Sequence, residues 1–158
     1  MKLTICGSIA FYSEMETLKT ELEARGHEVL IPLLSAEIPE FGGERKIYFA
    51  KFIEERGGID AFAPDHKIWA VKNQAIRDHF DKIVWCDAIV VANHDKRNVE
   101  GYIGGNTLME MGLAFFLKKP VYILKTPSSA LSYKVEILGM DPVFLHGNLD
   151  RIPRNAAF

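Results

Sequence analysis

The stretch Ala88-Ile89-Val90-Val91-Ala92 constrains this chain more than any other, because it is apolar without interruption and mostly β-branched. A strand with one wet face alternates polar and apolar residues, whereas a strand covered on both faces reads as a continuous apolar run. The run therefore predicts a central strand of a parallel sheet with helices on both sides.

The rest of the chain fits that expectation. Leu3 to Cys6, Glu28 to Pro32, Val121 to Leu124 and Val143 to Leu145 read as four further strands, the second ended by its proline. Between them lie helical patterns. Met15, Leu18 and Leu22 follow a Ser13-x-x-Glu16 capping box and stop at Gly26. A longer pattern runs from Asp65 to about Trp85, with Trp69, Ile76, Phe80 and Ile83 on one side. Further helices are predicted over Thr107 to Leu117 and Ser129 to Leu138.

Strands alternating with helices predict an α/β, flavodoxin-like (Rossmann-like) five-stranded parallel sheet in a single domain over residues 1–158. Residues 33–64 stand apart as an excursion. Within them Gly42-Gly43 and Gly57-Gly58 bracket a helical stretch from Glu44 to Arg56, which we read as covering a site or a partner subunit.

Composition narrows the function. The 158 residues carry 19 basic and 21 acidic side chains, a net charge of −2, which argues against a nucleic-acid polymer as partner. No apolar run reaches the roughly 18 residues of a membrane span. Cys6 and Cys86 lack metal or redox spacing and read as buried thiols of a reducing, cytoplasmic protein. His27, His66, His79, His94 and His146 never fall at a metal-ligand spacing, so a metal site is not expected, and the enzyme reading that the resemblance below implies needs no cofactor.

Open parallel sheets bind ligands beyond the carboxyl ends of their strands. That directs attention to the loops Gly7 to Tyr12, Asn93 to Asn106 and Lys125 to Ser132. Gly101 to Gly112 matches neither a dinucleotide fingerprint nor a P-loop, but it offers backbone N–H groups at a helix start. Glu110 has two readings: the last member of a Thr107-x-x-Glu110 capping box, or a carboxylate held at the ligand edge as a nucleophile. Asp87 reads as a boundary residue before its strand. Asp95 and Asn98 lie nearer the ligand edge, where polarity also serves solvation. Trp69, Phe80 and Trp85 read as core, while Phe11, Tyr12, Phe41 and Tyr48 are better placed to stack on a base or form an interface.

Three blocks carry a family resemblance: Cys6-Gly7-Ser8-Ile9, Asp87 to Ala92, and Gly104-Gly105-Asn106-Thr107-Leu108-Met109-Glu110-Met111-Gly112-Leu113-Ala114 followed by Lys119-Pro120-Val121. Together they resemble the nucleoside 2-deoxyribosyltransferase superfamily, including its 2′-deoxynucleoside 5′-monophosphate N-glycosidase branch. The resemblance implies cleavage of an N-glycosidic bond with Glu110 as nucleophile, the sugar passing to water or to a second nucleobase. It also implies substrate contacts from Gly7, Ser8, Ile9, Gly104, Gly105 and Asn106. Ser8 would hold a 5′-phosphate, with Ser132 reaching it from a neighbouring subunit of a homodimer or dimer of dimers. Asp78 is the nearest match to an aspartate serving the sugar and the leaving base, one residue out of register with His79 in the expected place. Thr4 stands where the monophosphate branch has a tyrosine. Two rival readings are a flavodoxin-like nucleotide sensor without turnover and a phosphoribohydrolase of modified adenine nucleotides.

Overall fold

The structure, a computed structural model, describes residues 1–33 and 49–155. The chain divides into two compact units: a sheet unit formed by Met1–Pro32 and the chain from Phe80 onward, and a second unit, Leu33–His79. Its strands are β1 (Lys2–Cys6), β2 (Glu28–Leu30), β3 (Ala88–Val91), β4 (Val121–Ile123) and β5 (Val143–Phe144). Its α-helices are α1 (Tyr12–Glu23), α2 (Phe49–Glu55), α3 (Ile68–Trp85), α4 (Gly105–Phe116) and α5 (Lys134–Gly139).

All strand pairs are parallel and the sheet order is β2-β1-β3-β4-β5. β3 sits at the centre, and every one of its residues is fully buried. The alternation of side chains along each strand divides the core into two layers. Leu3, Ile5, Ala88, Val90 and Tyr122 face one side, where Met15, Leu18 and Leu22 of α1 cover them. Cys6, Ile89, Val91, Val121 and Ile123 face the other, under Ile83 of α3, Met111 and Ala114 of α4, and Ile137 of α5. The flavodoxin-like fold with helices on both faces is thus what the central apolar run demands.

Several element starts differ from the sequence reading, among them α3, which begins at Ile68 rather than Asp65. Ser13 does not begin a capping box, because Ser8 already caps a 3-10 turn over Ile9–Phe11 that leads straight into α1. Ser13 is then inside the helix, and its hydroxyl donates to Glu14 instead. The last helix begins at Lys134 rather than Ser129, since the Ser128 side chain accepts from Ala130 N–H and Leu131 N–H turns back to the Ser128 carbonyl. α4 begins at Gly105, two residues before the expected Thr107.

In the second unit, Phe52 and Ile68 form a small core with Phe49, Ile53, Phe62, Trp69 and Val71. Trp69 packs on Phe62 and donates its indole N–H to Ala63, a core role as expected. Of the helix expected over residues 44–56, α2 covers Phe49–Glu55; residues 44–48, and Phe41, lie outside the described ones.

Asp87 is a boundary residue: its carboxylate accepts from Lys2 N–H at 2.7 Å while its own N–H donates to the Lys2 carbonyl. Lys119 closes the other end of that corner. Its ammonium donates to the carbonyls of Ile83, Val84 and Cys86, supplying charge to orphan acceptors at the end of α3. Lys119→Met should therefore lower unfolding stability by about 2 kcal/mol in urea titration; a change below about 0.5 kcal/mol would show that solvent replaces the bonds without cost.

Candidate active site

The strand order reverses between β1 and β3, so the loops that follow these two strands diverge and leave a crevice at their carboxyl ends. Gly7 lets the β1 loop lie against β3. A Cβ at that position would stand 3.0 Å from the Ala92 carbonyl oxygen. Ser8 follows with an extended backbone and accepts a hydrogen bond from Ala10 N–H.

The β3 loop is held by Asn93, which is fully buried. Its amide donates to the carbonyls of Lys125 (2.7 Å) and Gly101 (3.3 Å), and its oxygen accepts from Lys125 N–H (2.8 Å). Asp95 adds a second tie, accepting from Gly101 N–H and pairing with Lys125. The polarity of Asp95 is thus used within the loop. Between these anchors Lys96 and Val99 exchange both backbone hydrogen bonds around Arg97 and Asn98, both at positive φ, as in a primed two-residue hairpin turn.

This hairpin aims the half-buried Lys96 back across the crevice. Its ammonium donates to Ser8 Oγ at 2.9 Å and lies 5.2 Å from the centre of the Tyr102 ring. Burial, and secondarily the charge of Arg97, hold the Lys96 pKa below its ordinary value.

Glu110 occupies the second turn of α4 and is buried, 8% exposed. With the helix starting at Gly105 and capped by the backbone of Gly104, Thr107 is the third helical residue and itself buried, so the capping-box reading of Glu110 does not hold. Its carboxylate instead meets the thiol of Cys6, the last residue of β1. Burial first, then the negative charge of Glu110, the neighbouring Cys86 and a hydrogen bond with Glu110, push the Cys6 pKa well above the usual thiol range. Cys6 is accordingly a neutral S–H facing a carboxylate.

The remaining expected site residues are distributed as follows. Gly104 caps α4, with Gly105 and Asn106 exposed in its first turn. A Cβ on Gly104 would stand 3.2 Å from the Tyr102 ring, and the Tyr133 hydroxyl donates to the Ile103 carbonyl, so this helix start is tightly held. Ile9 is half-buried in the 3-10 turn, and Ser132 is exposed just before α5. Asp78 lies in the second unit, on α3, where it accepts from the Gln74 amide at 2.7 Å; the adjacent His79 is buried. Phe11 is buried edge-on against His94, 5.4 Å between centroids, and Tyr12 is half-buried against the core. Thr4 is also committed, its hydroxyl donating to the Lys82 carbonyl.

Lys96 and Asn93 were not singled out by sequence reasoning, and Cys6 was read only as a buried thiol that opens one of the family blocks. Positive φ at Arg97 and Asn98 has only a faint sequence signal, the asparagine. Gly101 offered a stronger one: at φ +55° its Cβ position lies 2.4 Å from the Thr126 carbonyl oxygen. Gly101→Ala should cost about 2–4 kcal/mol of stability by chemical denaturation; a loss under about 1 kcal/mol would mean the loops are not so locked.

No family model and no curated protein matches the sequence. Among solved structures, the chain is similar to the 2-deoxyribosyltransferase of the psychrotolerant bacterium Bacillus psychrosaccharolyticus, with TM-score 0.53, 14% identity, and coverage of 91% of this chain and 85% of that one. It also matches the CMP N-glycosidase BcmB of Clostridium botulinum, with TM-score 0.45, 16% identity and the same coverages, 91% and 85%. With β2-β1-β3-β4-β5 order, a crevice between β1 and β3, and a superposition running over nine-tenths of its length, this chain has the fold of the nucleoside 2-deoxyribosyltransferases.

Proposed function

We propose that the chain is an enzyme that cleaves the N-glycosidic bond of a (2′-deoxy)nucleoside or its 5′-monophosphate, with Glu110 as the nucleophile. The observation that carries this reading is the buried carboxylate of Glu110, brought from α4 to the end of β1 beside a neutral thiol. The fold, which is that of a 2-deoxyribosyltransferase, supports it.

The chemistry asks for such a group. As the bond to the base stretches, positive charge develops at the anomeric carbon, and a desolvated carboxylate stabilises that charge or closes on it as a glycosyl ester. A carboxylate oxygen bonds to the anomeric carbon, and the electron pair of the breaking C–N bond leaves with the base. The base takes a proton from a general acid, a role we assign to Asp78 with its neighbour His79 on the strength of the resemblance. Water then opens the ester to free sugar and restores the carboxylate, or a second nucleobase attacks and forms a new nucleoside.

Cys6 acts as a positioning residue. An S–H directed at Glu110 orients the carboxylate without supplying a competing charge. Gly7, Ser8, Ile9, Gly104, Gly105 and Asn106 are the proposed substrate contacts, with Ser132 completing a neighbour's site in a homodimer or dimer of dimers. No cofactor enters this scheme, and we place the protein in the cytoplasm. No helix among the described residues is long and apolar enough to cross a membrane.

The test is chromatography of nucleosides and their 5′-monophosphates after incubation, with and without a second free base. Base release by the native protein is expected to fall by more than about 1,000-fold in Glu110→Ala, with circular dichroism unchanged. Release at the native rate in that variant would remove Glu110 from the mechanism. Nucleotide binding without any release would favour the sensor, and a preference for ribose over 2-deoxyribose the phosphoribohydrolase.

A further inference from the structure

We propose that the outer face of α4 pairs with the same face of a second copy of this chain, the two helices running antiparallel across a two-fold axis. The surface stands apart from the N-glycosidic reading, and only its consequence for the site rests on that reading.

α4 is apolar all the way round. At about 100° per residue, Thr107, Glu110, Met111 and Ala114 fall on one arc and are buried. On the opposite arc lie Phe115, Leu108, Gly112, Gly105, Phe116 and Met109, with no charged or hydrogen-bonding side chain among them. Phe116 is 79% exposed, Phe115 54% and Met109 47%. A surface helix carries polar residues on its outer face, whereas a helix that is apolar on every side is one that is covered on every side. The other helices of this side of the sheet add Val84 at the end of α3, and Val135 and Leu138 on α5, all exposed. The two phenylalanines alone leave about 250 Å² of apolar area in water, and the whole set several hundred. That reaches the largest apolar patch of an ordinary monomer, and it approaches the apolar share of the roughly 800 Å² that each partner gives to a stable interface.

The pattern on the arc selects the partner. Gly105 and Gly112 are holes: a Cβ at either would meet nothing within 4 Å, so no neighbour inside the chain requires glycine there. Glycine is disfavoured within a helix, and neither residue has the positive φ that would favour it. Met109 and Phe116 are knobs, each four residues after a glycine, so hole and knob alternate along the arc. Reversed, that alternation is its own complement. A two-fold axis crossing α4 between Glu110 and Met111 sets Phe116 opposite the partner's Gly105 and Met109 opposite the partner's Gly112, with each contact made twice. The glycines let the helix axes approach to the short end of the usual range of about 8–10 Å. A parallel pair in register would instead set knob on knob and hole on hole.

The pairing also reaches the site. Gly105 opens α4 beside Gly104 and Asn106, all proposed substrate contacts. The partner's Phe116, seated on Gly105, brings an aromatic ring to that helix start. On the N-glycosidic reading, each pocket is then walled in part by the neighbouring subunit.

Sedimentation velocity without substrate compares the native protein with Phe116→Lys, Gly112→Met and the double variant Met109→Gly with Gly112→Met. The native chain is expected to be a dimer at micromolar concentration. Phe116→Lys removes one knob and Gly112→Met fills one hole, and each should weaken dimerisation by about 100-fold. Both positions are open in the single chain, so circular dichroism should be unchanged. The double variant exchanges knob and hole at facing positions and should recover most of the native association. A native protein that stays monomeric overturns the pairing. A dimer that Phe116→Lys and Gly112→Met leave at native strength also overturns it, by placing the interface elsewhere. Neither result touches the N-glycosidic reading, whose own test is base release.

Discussion

The structure depends on the parallel pairing of β1 with β3 and on the reversal of strand order at that pair. From β1 the chain first lays β2 on one flank and then returns past β1 to build β3, β4 and β5 on the other. The loops after β1 and β3 therefore leave in different directions, and the crevice between them is a consequence of topology before any side chain is considered. What the side chains add is precision. Gly7 lets the first loop touch Ala92, while Asn93 and Gly101 fasten the second loop to the chain after β4. Both walls of the crevice are thereby fixed from within the sheet unit.

On this frame the electrostatics are arranged by position rather than by net charge. A chain of net charge −2 has no broad field to concentrate an anionic ligand. It instead holds two charges near one short segment, the Glu110 carboxylate beside Cys6 and the Lys96 ammonium beside Ser8. The other charges of the edge are neutralised locally, Asp95 by Lys125 and by the Gly101 N–H.

Much of the fold was legible because its signals are local and agree with one another. The run Ala88 to Ala92 announces a strand covered on both sides, and Met15, Leu18 and Leu22 keep their spacing through α1. The capping motifs misled at Ser13 and at Thr107 for one reason: in each case the chain was already helical upstream, from Ser8 and from Gly104, so the expected cap fell inside the element. Glu110 and Ser8 were singled out as site candidates through the family blocks. Lys96 was not, because its direction is set by a hairpin whose closure depends on Asn93 and Gly101, and no pattern near Lys96 encodes that. The partnership of Cys6 with Glu110 was hidden likewise, since it joins residues far apart in sequence and exists only once β1 and α4 are packed.

The central claim is that Glu110 attacks the sugar, and it is tested most directly by looking for the bond. Native protein turning over a responsive 2′-deoxynucleoside 5′-monophosphate would be quenched in acid, digested, and its peptides weighed by mass spectrometry. The account predicts a 2-deoxyribosyl 5-phosphate adduct on the peptide carrying Glu110, located to that residue by fragmentation and absent without substrate. Base release at full rate with the adduct on another residue would contradict it.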